Sequence, residues 1–264
     1  LIIGTGLAGY SVAREFRKLD REGPLLLVSA DDGAFYTKPQ LSNAYAQKRT
    51  PEALVNNAAG EMAGQLNARI LAHTRVQAID PAAGCVRTET GALPCSRLVL
   101  ALGADPIRPA LAGDAAHEVL SVNDLSDYAR FRAAAQGAQR ILILGAGLIG
   151  CEFANDLCVS GYAVDVIDIA SQPLGRLLPP GAAESLRRAL AARGVRWHLG
   201  VSVQSVERHG QKRLRATLSD GAVVEADVVL SAIGLKPRTA LAAAAGLHVH
   251  RGILTDRFLK TSAE

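Results

Sequence analysis

A glycine pattern that occurs twice limits this chain to few architectures. Leu1-Ile-Ile-Gly4-Thr-Gly6-Leu-Ala-Gly9-Tyr-Ser-Val-Ala returns 141 residues later as Ile141-Leu-Ile-Leu-Gly145-Ala-Gly147-Leu-Ile-Gly150-Cys-Glu152-Phe-Ala. Each copy is Gly-x-Gly-x-x-Gly behind an apolar run. The first glycine permits a tight turn, the second lets backbone approach a pyrophosphate, and the third lets the following helix pack closely on the sheet. The open N–H groups and the dipole at that helix's N-terminus then hold the anion.

The surroundings repeat as well. After the first motif, Leu7, Ala13, Phe16 and Leu19 recur at helical spacing, Arg21-Glu22-Gly23-Pro24 breaks the helix, and Leu25 to Ser29 reads as a buried strand ending at Asp31. After the second, Ile149, Phe153 and Leu157 mark a helical face, Ser160-Gly161 closes it, and Tyr162 to Ile167 forms a strand ending at Asp168. The acids lie 27 and 23 residues beyond their first glycines, near the roughly 20 expected of a ribose-binding carboxylate. Asp32 is the alternative to Asp31. Either acid also fits a surface polar residue that merely ends a strand.

A second repeated pair divides the chain. Arg97-Leu-Val-Leu-Ala-Leu-Gly103-Ala-Asp-Pro106 and Asp227-Val-Val-Leu-Ser-Ala-Ile-Gly234-Leu-Lys-Pro237 each run a buried strand into a glycine turn and a proline. Hairpin signals precede them at Asp80 to Gly84 and Ser219 to Gly221. The expected fold is α/β, with two Rossmann-like dinucleotide-binding domains, one inserted in the other: residues 1–109, then 110–237, then a return over 238–264. Two nucleotides in one chain point to electron transfer between them. The chain opens on Leu1, inside an apparent strand, and stops without a helix cap or closing strand, so it reads as a fragment.

Composition excludes other classes. At 49% hydrophobic and 20% charged the chain is globular, and no apolar run approaches the roughly 18 to 20 residues of a membrane span. A net charge of +4, dispersed, is too mild for nucleic acid and would suit a weakly acidic protein partner. Four cysteines, at 85, 95, 151 and 158, lack both disulfide-scaffold density and zinc spacing. They indicate small packed thiols in a reducing, cytoplasmic setting. The six histidines show no metal spacing beside a carboxylate, and Trp197 reads as packing.

The two fingerprints, the Ala-x-Gly-x-x-Pro hinge and the stretch Phe35-Tyr-Thr-Lys38-Pro39-Gln-Leu41-Ser42 resemble the FAD-dependent pyridine nucleotide-disulfide oxidoreductases. Within them, Ala30-Asp-Asp-Gly, Gln65-Leu-Asn-Ala-Arg-Ile and Gly145-Ala-Gly-Leu-Ile-Gly-Cys-Glu-Phe-Ala-Asn-Asp resemble the rubredoxin-reducing branch. The resemblance places the FAD pyrophosphate at Gly4, Gly6 and Gly9, its ribose at Asp31, and its adenine near the backbone of Val76. It places NADH at Gly145, Gly147 and Gly150, with Asp168 on the ribose diol and Gly234 on the nicotinamide side; Gly103 is the first domain's counterpart of Gly234. An acid at that strand end accepts two hydroxyls and repels a 2'-phosphate, which favours NADH over NADPH.

The resemblance further implies an ion pair between Lys38 and Glu152 beside flavin N5, bridging the two domains. The ammonium would stabilise charge developing on the flavin, and Glu152 would orient it and line the nicotinamide site. Lys38 also fits an ordinary solvated loop lysine, and Glu152 an acid in the helix's first turn serving only the dipole. Disulfide reductases of this fold carry C-x-x-x-x-C after the flavin fingerprint, and related peroxidases carry a cysteine where Ser42 lies; both are missing here. Electrons must then leave the flavin directly. The implied acceptor is rubredoxin, in an alkane hydroxylation chain. The alternatives are a [2Fe-2S] ferredoxin of an oxygenase system, or a nucleotide-binding redox-sensing scaffold without turnover.

Overall fold

The computed structural model describes residues 1–210 and 213–263. It separates into two compact units: Leu1–Thr37 with Val55–Asp105 and Lys236–Glu264, and Lys38–Leu54 with Pro106–Leu235.

The first unit is built on a parallel sheet of β1 (Ile2–Ile3), β2 (Leu26–Val28), β3 (Arg69–Leu71) and β4 (Val99–Leu100), in the order β3-β2-β1-β4. Ile2 lies opposite both Leu27 and Val99, and Leu27 opposite Ile70. Helix α1 (Leu7–Leu19) connects β1 to β2 and buries Tyr10 and Ala13 against Ile2, Leu25 and Leu27. The expected inward face of this helix is partly wrong: Leu7 is 53% and Leu19 90% exposed. They are the helix's first and last residues. A three-stranded antiparallel sheet, Val76–Asp80, Cys85–Thr88 and Gly91–Pro94, completes the unit, its first turn lying at the expected Asp80 to Gly84.

The second unit repeats the plan. β5 (Arg140–Leu144), α2 (Leu148–Val159), β6 (Ala163–Asp168), β7 (Val195–Leu199) and β8 (Val228–Ser231) form a parallel sheet in the order β7-β6-β5-β8. This is the same third-second-first-last order, with Leu142 opposite both Asp165 and Val229. Strands β5 and β8 are buried along nearly their whole length, which is why they read as unbroken apolar runs. Alternate residues serve different layers: Ile141 and Ile143 pack with Phe131, Phe153 and Leu157, whereas Leu142 and Leu144 pack with Val206, Ala216 and Leu218 of the antiparallel sheet Val203–His209, Arg213–Leu218 and Val223–Ala226. On α2, Phe153 and Leu157 are buried as expected, but Ile149 is 42% exposed, again in the first turn.

The division differs from the expected 1–109, 110–237 and 238–264 in one substantive respect. Residues 38–54 belong with the second unit. The reason is a set of polar anchors: the Tyr45 and Ala46 amides donate to the Asp156 carboxylate at 2.7 and 3.1 Å, and the Tyr128 hydroxyl donates to the Arg49 carbonyl at 3.1 Å.

Candidate functional site

Each unit carries a glycine cradle at the carboxyl end of its first strand. Gly4 and Gly145 hold φ of +108° and +106°, in the region that favours glycine. Their amides donate to the carbonyls of Val28 and Ile167, at 2.8 and 2.7 Å, which ties each turn to the neighbouring strand. A Cβ on Gly9 would lie 2.0 Å from the Gly4 carbonyl oxygen, and one on Gly150 would lie 1.9 Å from that of Gly145. The third glycine is therefore required for the helix to touch the turn. A Cβ on Gly6 or Gly147 meets nothing within 4 Å.

The middle glycines thus face open space at uncapped helix starts. Gly6 and Gly147 are the N-cap residues of α1 and α2, no side chain caps either helix, and neither first turn carries an acid. The first amides of each helix remain available to an anion, with no acidic residue inside either first turn to compete for them. These features fit the pyrophosphate of a dinucleotide in each unit.

The two acids differ in their place: Asp168 closes its strand as expected, whereas the strand before Asp31 ends at Val28. Asp168 ends β6, and its two carboxylate oxygens accept the amides of Ala146, at 2.5 Å, and Ala170, at 2.7 Å. Its carboxylate is thereby fixed between the glycine turn and the strand end. Asp31 lies three residues beyond β2; its Oδ1 accepts the Gly33 amide at 2.9 Å and the Ser29 hydroxyl, and Thr5 Oγ1 stands 3.4 Å away. Asp32 accepts only the Ala34 amide, at 3.0 Å, from among the described residues. That leaves Asp31 as the acid tied to the first glycine turn. The chain leaving Asp31 pairs with the stretch leading to Val76, the His73 amide donating to the Asp31 carbonyl and the Thr74 amide to that of Ser29, each at 2.7 Å. Val76 then opens its strand opposite Thr88. Gly103 and Gly234 follow β4 and β8 with φ of +71° and +121°.

Lys38 opens a 3-10 turn, Lys38–Ser42, that packs against α2. Ser42 donates its hydroxyl to Glu152, and its oxygen also lies 3.1 Å from the Pro39 carbonyl. Lys38 and Glu152 both fall in the second unit, rather than one in each unit as expected. Glu152 is the fifth residue of α2, beyond the first turn, which removes the reading of it as an acid serving only the helix dipole. Sequence reasoning missed two groups here. In the sequence Ser42 marks only the place where related peroxidases carry a cysteine. Asp156 lies one helical turn beyond Glu152, and its only signal in the sequence is the four-residue spacing of two acids on a mostly apolar helix.

The remaining candidates settle into packing roles. Cys151 is buried, burial pushes its thiol up to about 11, and its sulfur lies 3.5 Å from the Ala146 carbonyl. Burial also raises the Cys158 thiol. Cys85 and Cys95 flank a hairpin as free thiols. His198 and Arg196 pair with the buried Asp165 at 3.0 and 2.5 Å, and Trp197 donates to the Arg187 carbonyl at 3.1 Å. No cluster of three metal-binding side chains occurs among the described residues, and no helix there is long and apolar enough to cross a membrane.

Two interleaved units of identical strand order, each with a glycine cradle and an acid after its second strand or at its end, define a nucleotide-dependent oxidoreductase architecture. The chain belongs to the pyridine nucleotide-disulphide oxidoreductase family, whose sequence profile matches residues 1–264. It is 48% identical over 264 residues to the rubredoxin-NAD(+) reductase of Alcanivorax borkumensis, covering 100% of this chain and 69% of that protein. It is 45% identical over 271 aligned residues to the rubredoxin-NAD(+) reductase of Acinetobacter baylyi, with the same coverage. Among solved structures, the ferredoxin reductase for the CYP199A2 system from Rhodopseudomonas palustris superposes with a TM-score of 0.91 at 28% identity, over 99% of this chain and 65% of that one.

Proposed function

We propose that this protein transfers electrons from NADH through FAD to rubredoxin. The duplicated cradle carries the reading: two dinucleotide sites in one chain suit a donor and an acceptor of hydride, with FAD at Gly4, Gly6, Gly9 and Asp31 and NADH at Gly145, Gly147, Gly150 and Asp168. The cofactors supply the redox chemistry, hydride acceptance from NADH and release of single electrons. The chain's own groups bind, orient and set charge. Asp168, held by two amides, presents a fixed carboxylate to a ribose diol and repels a 2'-phosphate. Lys38 supplies the positive charge and Glu152, held by Ser42, orients it. Both rubredoxin-NAD(+) reductases named above support the acceptor, and the free, buried or half-buried thiols support direct exit of electrons and a reducing, cytoplasmic setting. An alkane hydroxylation chain is the proposed context.

The likeness to a ferredoxin reductase favours one second reading, a [2Fe-2S] ferredoxin as acceptor. Steady-state reduction of purified rubredoxin and ferredoxin, side by side, with NADH and NADPH, separates the two. Preference for rubredoxin with NADH is the expected result. Preference for ferredoxin moves the acceptor and spares the cradles, and turnover of neither carrier leaves a nucleotide-binding scaffold.

A further inference from the structure

Helix α2 presents two carboxylates one turn apart, and both grip the same segment. Glu152 accepts the Ser42 hydroxyl, and Asp156 Oδ2 accepts the amides of Tyr45 and Ala46. Asp156 is 5% exposed, on a helix whose neighbours Phe153, Ala154 and Leu157 are core. Burying a carboxylate there is costly unless it is well satisfied. Burial pushes its carboxyl up while the two amides pull it back down. Beyond it the segment is held twice more. Tyr45 hydrogen-bonds the Tyr162 hydroxyl at 2.6 Å, and the Arg49 carbonyl accepts from Tyr128 and from Arg132, at 3.1 and 3.0 Å. These contacts secure the tail of the segment. Nearer its head, where the chain leaves the turn that begins at Lys38, stand Ser42 and the Asp156 clamp, with Arg49 Nη1 donating to Gln40 Oε1 at 3.0 Å.

We propose that Asp156 is a positioning residue for the reaction: by clamping the Tyr45 and Ala46 amides it fixes the Lys38–Ser42 turn on α2, and so sets where Lys38 and Ser42 stand relative to Glu152. This rests on the function proposed above, in which Lys38 serves the flavin. The required group is an acceptor oxygen at this point of the helix. An asparagine supplies one and an alanine does not.

The test uses the FAD-loaded full chain and its Asp156→Asn and Asp156→Ala variants, with two readouts. Amide hydrogen exchange over residues 43–49 should accelerate about ten- to hundredfold in Asp156→Ala, which loses both acceptor contacts, and stay close to wild type in Asp156→Asn, which keeps an acceptor oxygen. The limiting rate of flavin reduction by NADH should fall about tenfold in Asp156→Ala, with the NADH concentration for half-saturation unchanged, and recover in Asp156→Asn. Unchanged exchange in Asp156→Ala overturns the clamp. Accelerated exchange with an unchanged limiting rate overturns the positioning role. A wild-type chain whose flavin NADH does not reduce removes the proposed function, and with it the reaction Asp156 would serve, while the exchange data still report whether the clamp exists.

Discussion

The two glycines at the start of α2 should respond to the same substitution in opposite ways. In Gly147→Ala the new methyl enters open space, with nothing within 4 Å, on an N-cap residue whose φ of −73° any residue adopts. Stability should change by less than about 0.5 kcal/mol. That methyl nevertheless stands where a pyrophosphate must approach the backbone. Weakening one charge-assisted hydrogen bond, worth about 1.5–3 kcal/mol, corresponds to about a ten- to hundredfold loss of NADH affinity. In Gly150→Ala the methyl falls 1.9 Å from the Gly145 oxygen and 3.0 Å from its carbonyl carbon. Both neighbours are backbone, so the helix must move away from the turn by about 1 Å, an overpacking cost of about 1–3 kcal/mol. Calorimetric NADH titration and thermal unfolding of both variants read the difference. Gly147→Ala with wild-type NADH affinity, or Gly150→Ala with wild-type stability, would refute the assignment of separate duties to the two positions.

Other outcomes follow from the same geometry. Asp168→Asn should weaken NADH by about tenfold and narrow its advantage over NADPH, checked by parallel titration with both nucleotides. Lys38→Ala should slow flavin reduction by NADH about 100-fold or more in stopped-flow absorbance, with FAD still bound. With the Cys151 thiol pushed up to about 11 by burial, an alkylating reagent at pH 8 should leave it unmodified in the folded chain and label it after denaturation, read by mass spectrometry. Phe153→Ala should cost about 3–5 kcal/mol of unfolding free energy in denaturant titration, since Phe153 is buried edge-on against Phe131 in the second unit's core.

What the sequence made legible was local. Strand, glycine turn, helix and acid are encoded within some thirty residues, so Gly4 through Asp31 and Gly145 through Asp168 were readable as units, and the hairpin turns declared themselves through glycine and aspartate. Burial at helix ends was not readable. Leu7, Leu19 and Ile149 fit the apolar stripe but lie at helix ends, beyond reach of the core. The membership of residues 38–54 was hidden for a different reason: Tyr45 and Asp156 are 111 positions apart, and an amide seeking an acceptor leaves no trace in residue type. The same distance concealed the Ser42 contact to Glu152, 110 positions away.

The central claim is that the two cradles hold a hydride donor and its acceptor. Anaerobic mixing of the FAD-loaded chain with one equivalent of NADH tests it most directly, by following the flavin's visible absorbance. The account predicts rapid bleaching at one NADH per flavin, abolished or greatly slowed in Gly147→Ala at the same nucleotide concentration. A flavin that stays oxidised in the wild-type chain, with NADH demonstrably bound, would contradict it.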